Sequence, residues 1–112
     1  METKAVTKFV RIGPRKARLA ADLIRGESVE DAINQLTFSN MKGGRLLLKT
    51  LNSAIANAET ELDMRKENMI VSEVRIDEGP RMKRARSKNR GGKHPILKRM
   101  SHFTVVVSEE SE

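Results

Sequence analysis

Cysteine is absent from this chain, which excludes a disulfide frame and a Cys-ligated zinc site and leaves stability to packing alone. Tryptophan and tyrosine are absent too, so three phenylalanines are the whole aromatic content and the core must be mainly aliphatic. No run of apolar residues is long enough to span a bilayer. The opening METKAVTKFV lacks the roughly 7 to 15 apolar residues of a secretory leader, and a cytoplasmic protein is the expectation. Catalytic signatures are missing as well. The two histidines, His94 and His102, and the acids Asp77 and Glu78 come without a nucleophile motif, a metal-ligand spacing or a glycine-rich phosphate loop. We therefore expect no enzyme, no metal and no cofactor.

What is present is a large excess of cations. There are 22 Lys and Arg against 15 Asp and Glu in 112 residues, a formal charge of +7 and a pI near 10.1, which favours polyanionic partners. The excess is concentrated. Residues 81–99 hold nine cations and no acid, and removing them leaves 13 cations against 15 acids, about −2 for the rest of the chain. With 38% hydrophobic residues the chain buries one modest core, so residues 1–112 read as a single domain.

The elements follow from periodicity. Residues 4–12 interleave apolar and polar positions as a strand, which Gly13 and Pro14 stop. Pro14 suits the first position of a helix whose stripe is Ala17, Ala20, Ala21 and Ile24, widened by Leu19 and Leu23 and closed by Gly26. Ser28 is a candidate N-cap for a second helix with Val29, Ala32, Ile33 and Leu36 on one face. A third is expected from about Met41 to Leu62, capped by Ser39 or Asn40 and weakened in its first turn by Gly43 and Gly44. Residues 69–78 read as a strand with Ile70, Val74 and Ile76 on one side, and residues 102–108 mirror it. The acidic residues 109–112 read as a frayed tail. The fold class is α+β: three helices on a small antiparallel three-stranded sheet.

A structureless loop of some twenty residues is suspect inside a compact domain. If the last two body strands pair with Asp77 opposite His102, the midpoint falls between Asn89 and Arg90, beside Gly91 and Gly92. The pairing then continues outward through residues 79–100 as a long hairpin, about 30 Å at 3.3 Å per residue. A ribbon this basic is marginal alone and is expected to order when phosphates surround it, with affinity that falls steeply as salt rises.

On the helices, Lys16, Arg18 and Arg25 are candidate phosphate contacts balanced against an ordinary solvated face, and Lys42, Arg45 and Lys49 are weaker ones at i, i+3, i+7. Among polyanion binders, a β-ribbon DNA-binding protein is disfavoured because such readers use a short ribbon with base-reading side chains. An RNA-processing enzyme using the histidines is a distant third.

Four blocks in order carry a resemblance. They are the run from Lys16 through Arg18, Leu19, Asp22, Leu23, Ile24 and Arg25 to Gly26; then Ser53, Asn57 and Glu59 in SAIANAE; then Asp77-Glu78-Gly79-Pro80 with Met82-Lys83-Arg84; and Leu97-Lys98-Arg99 leading through Ser101-His102 to Val107. In these the chain resembles the bacterial large-subunit ribosomal protein L-twenty-two family over nearly its whole length. That resemblance implies a structural protein of the large subunit that binds 23S rRNA and supports assembly. Its hairpin tip would line the nascent-peptide exit tunnel beside the large-subunit protein L-four, in contact with the nascent peptide and without homo-oligomers or membranes. Carried onto this chain, the rRNA contacts would be Arg11, Arg15, Lys16, Arg18 and Arg25, with Lys42, Arg45 and Lys49 on the third helix. On the hairpin and its return they would be Arg81, Lys83, Arg84, Arg86, Lys98, Arg99, Ser101 and His102. The tip would be Lys88, Asn89, Arg90, Gly91, Gly92 and Lys93, where Gly92 replaces a basic residue usual in the family.

Overall fold

The core lies between an antiparallel sheet, whose central strand is its most deeply buried, and three amphipathic helices. A computed structural model describes residues 2–79, 82–87 and 93–109, with the strands over 82–87 and 93–98 described by their backbone. In order the elements are β1 (Glu2–Val10), α1 (Pro14–Ile24), α2 (Val29–Thr37), α3 (Lys42–Glu61), a 3₁₀ turn (Lys66–Asn68), β2 (Met69–Glu78), β3 (Met82–Ser87), β4 (Lys93–Lys98) and β5 (Ser101–Glu109). β5 is the centre of an antiparallel sheet in the order β1-β5-β2, and β3 pairs with β4 in a separate ribbon. The fold is α+β with three helices and a three-stranded sheet, as the pattern predicts.

All three helices cover one face of the sheet. α3 crosses β1 and β5, α1 lies against β2, and α2 packs on both α1 and α3. Between the layers Phe103, Val105, Val107, Val71 and Ile76 meet Ala20, Ile24, Leu36, Leu47 and Leu51, all of them nearly or wholly buried. Of the α1 residues, Ala17, Ala20, Ala21 and Ile24 are buried as expected. Leu19 and Leu23 are not. They are 58% and 39% exposed, because alanines fill the tight α1–sheet contact and the two leucines fall outside that narrow stripe.

Helix ends are set locally. Gly26 closes α1 at φ 83°, a left-handed conformation that glycine adopts without a Cβ clash, and its N–H donates to the Val71 carbonyl at 2.9 Å. The Ser28 hydroxyl caps α2 by accepting from the Asp31 N–H at 3.3 Å. α3 differs from expectation. Its N-cap is Met41, without a side-chain cap; the Ser39 hydroxyl accepts instead from the Met41 N–H at 3.1 Å, outside the helix. Gly43 and Gly44 are buried in its first turn, where α3 meets Ile12 and Ser39.

β2 occupies Met69–Glu78, and Asp77 pairs with His102, as predicted. One bulge changes its faces. Val71 pairs with Val107 and Glu73 with Val106, which leaves Ser72 as an extra residue whose hydroxyl donates to the Val106 carbonyl. The inward side is therefore Met69 and Val71 before the bulge and Val74 and Ile76 after it, while Ile70, expected inward, is only half-buried. A second bulge lies in β1. Lys8 and Phe9 together oppose His102, and Phe9 takes φ 59°, a left-handed conformation that costs roughly 1–2 kcal/mol for a residue with a Cβ.

The hairpin continues from β2 and β5. Gly79 sits at its root, where an added Cβ would lie 3.1 Å from the Met100 carbonyl oxygen, and the Gly79 N–H donates to that carbonyl at 2.8 Å. Met82 pairs with Lys98 and Ser87 with Lys93. This register centres on position 90, half a residue beyond the expected midpoint, because three residues intervene on the outgoing side (79–81) and two on the return (99–100). The extents of 66 × 25 × 17 Å are those of a small body with an arm. Glu109 is the last residue of β5, and 110–112 lie outside the described residues.

Candidate RNA interface

Two helix N-termini open onto one cleft. After β1 the chain turns through Arg11, anchors Ile12 in the core and enters α1 at Pro14; α3 starts beside it at Lys42. Arg11, Arg15, Lys16, Lys42 and Arg99 line the cleft, whose volume is about 780 Å³, over a floor that includes Ile12, Leu19, Met41 and Gly43. Among the described residues no carboxylate lines it. Neither Gly13 nor Met41 caps its helix with a side chain, and neither helix has an acid in its first turn. Each therefore presents unpaired N–H groups and the positive end of its dipole beside cations, an arrangement that is unfavourable within the protein and favourable toward an anion. α2 is the internal contrast: it has the Ser28 cap and carries Glu30 and Asp31 in its first turn.

Five of the residues expected to contact RNA thus converge here. The Lys42 ammonium donates to the Arg11 carbonyl at 3.3 Å, which ties the start of α3 to the turn after β1. Arg99 joins the cleft to the hairpin root, since it directly follows β4 and its Cδ would lie 3.9 Å from a Cβ at Gly13.

The other candidates are placed elsewhere. Arg18 donates to the Ile76 carbonyl at 3.2 Å, and Arg25 to the Val74 carbonyl at 2.9 Å and to Asp22 at 2.6 Å. Both guanidinium groups satisfy carbonyls along the outer edge of β2, which also shields that edge from pairing. Arg45 and Lys49 are exposed on α3 but do not line the cleft. Ser101 must be corrected: it is fully buried, and its hydroxyl donates to the Ile12 carbonyl at 2.7 Å, so it has no surface from which to reach RNA. His102 is half-buried, and its Nδ1 accepts the Phe9 N–H at 3.1 Å. That bond assigns the neutral ring's proton to Nε2. The Phe9 ring meets the imidazole edge-on at 5.0 Å.

Arg81, Lys88, Asn89, Arg90, Gly91 and Gly92 lie outside the described residues. Lys83, Arg84, Arg86, Lys93 and Lys98 fall on the paired strands β3 and β4. Sequence reasoning missed Leu19 and Met41 as floor residues, since periodicity assigns the first to the core and gives the second only a place near a helix start. Among the described residues no group of acids, histidines or cysteines is arranged to hold a metal ion, and no helix is long and apolar enough to cross a membrane.

A small α+β body with a cationic cleft at the root of a paired basic ribbon defines a protein built for a polyanion. Residues 5–108 match the family model described as ribosomal protein L22p/L17e. The chain is 71% identical over 105 residues, 94% of its own length and 95% of the relative's, to the large ribosomal subunit protein uL22 of Protochlamydia amoebophila. It is 56% identical over 109 residues to the protein of the same name in Chlamydia trachomatis serovar L2, covering 97% of this chain and 98% of that one. The chain belongs to the ribosomal protein L22p/L17e family; it is a ribosomal protein and not an enzyme.

Proposed function

We propose that this chain is a large-subunit protein of the cytoplasmic ribosome that binds 23S rRNA at two connected places, the cleft and the hairpin. The observation that carries the proposal is the pair of uncapped helix N-termini opening beside five cations and, among the described residues, no carboxylate. Arg11, Arg15, Lys16, Lys42 and Arg99 hold backbone phosphates on the rim, and the apolar floor packs against ribose or an unstacked base. Arg45, Lys49 and the Nε2–H of His102 add contacts around the body. Arg18 and Arg25 contribute only with donors left over from the β2 edge.

From Arg99 the phosphate track continues onto the arm through Arg81, Lys83, Arg84, Arg86 and Lys98. A two-stranded ribbon is slim enough to pass between RNA helices, and its many cations release condensed counterions as it does so. The tip, Lys88 to Lys93, lines the exit tunnel near protein L-four and meets the nascent peptide. Family membership supports this part of the reading. Holding several RNA segments together from one body also gives the chain its role in subunit assembly.

Binding of the full chain to a 23S rRNA transcript across a salt series tests the cleft. Each phosphate contact contributes about 0.7–0.9 to the slope of log affinity against log salt. The combined variant Arg15→Gln, Lys16→Gln, Lys42→Gln should weaken binding and reduce that slope by roughly 2. An unchanged slope in the folded variant rules the cleft out as a phosphate site.

A further inference from the structure

One face of the body is unsuited to RNA. Residues 26–41 contain Glu27, Glu30 and Asp31 and no Lys or Arg, in a protein whose net charge is +7. On that face Phe38 is 82% exposed just past the end of α2, and Leu23, 39% exposed, stands across from it on α1. Between them is a groove of about 460 Å³ lined also by Glu27, Asp31, Asn34 and Gln35. Neither Glu27 nor Asp31 enters an ion pair among the described residues.

We propose that this groove seats a basic, extended segment of another large-subunit protein, a reading that rests on the chain's place in that subunit. Phe38 and Leu23 would bury an apolar side chain, the two carboxylates would pair with flanking Lys or Arg, and the Asn34 and Gln35 amides would bond the extended backbone. An exposed phenylalanine on an RNA-binding protein also fits base stacking, but a phosphate chain brought to this ring meets two carboxylates lining the groove and, among the described residues, no Lys or Arg lining it. Charge thus selects protein over RNA.

Photocrosslinking inside the assembled particle tests this. Phe38→p-benzoylphenylalanine changes an exposed side chain and leaves the core intact; the full chain carrying it is expressed in cells and recovered from purified large subunits. The expected product is one peptide from one other large-subunit protein, with Lys or Arg within a few residues of the attachment point. Adding Glu27→Gln and Asp31→Asn should lower its yield roughly fivefold, the loss of two surface ion pairs. If the chain is present in the subunit but crosslinks to nucleotides, to scattered peptides or to nothing, or if the yield ignores the charge changes, the docking proposal is overturned and the RNA role stands. If the chain is absent from the subunit, both fall.

Discussion

The Ser101 hydroxyl is sealed inside the body and donates to the Ile12 carbonyl at 2.7 Å, directly beneath the cationic cleft. Ile12 is itself anchored in the core, so this bond fixes the turn that carries Arg11 and leads into α1. Ser101→Ala leaves that carbonyl buried without its donor, at a cost of about 1–3 kcal/mol. Chemical denaturation should show the loss as a lower midpoint with an unchanged slope. Binding of 23S rRNA by the folded fraction should hold, because residue 101 is fully buried. Loss of affinity without loss of stability would return Ser101 to the interface. Phe9 is the opposite case: nothing in its sequence surroundings signals a left-handed residue, since the bulge exists only because β1 meets β5 with one residue too many opposite His102.

At the scale of elements, α1 begins against its own dipole. Arg15 and Lys16 occupy a first turn where acids are normally favoured, and no side chain caps it. Lys16→Glu should therefore stabilise the free protein by about 0.5–1 kcal/mol, a rise of a few degrees in Tm, while weakening RNA binding. Stability and affinity moving in opposite directions is the signature of a site shaped for a ligand; both falling together would assign Lys16 to the fold. Much of this was legible in the chain. Pro14, Gly26 and Ser28 mark helix ends through local backbone chemistry, and the β-branched run of β2 and its pairing of Asp77 with His102 follow from period and register. Where the reading failed, the cause was non-local. The Ser72 bulge reverses the face of Ile70, a narrow contact with the sheet leaves Leu19 and Leu23 outside, and Met41 displaces Ser39 as the cap of α3. The cleft was legible only as separate cations. Arg11, Lys42 and Arg99 are far apart in sequence and meet because α3 starts beside the turn after β1 and the hairpin returns above it.

At the scale of the whole molecule, charge and packing are divided between different parts. The described core draws on the three helices and on β1, β2 and β5, and the loop to the arm is already closed at Gly79 and Met100 by a 2.8 Å hydrogen bond. β2 and β5 pair directly from Met69 with Glu109 to Glu78 with Ser101, so the body's sheet does not depend on what lies beyond its root. The arm carries the cation excess, and every cation added to a bare ribbon raises its self-repulsion. Removing residues 82–98 and bridging the gap with a short turn should therefore leave a body that unfolds in one cooperative transition. Because closing a loop of this length costs little more than closing a short one, its Tm should change by only a few degrees. The same variant should lose most of the salt dependence of rRNA binding and keep the share due to the cleft, so its slope should fall by about 2 more when Arg15, Lys16 and Lys42 are also neutralised. A shortened chain that no longer folds would mean that the ribbon supports the sheet. A shortened chain that binds RNA with an undiminished slope would mean that the phosphates are held by the body alone.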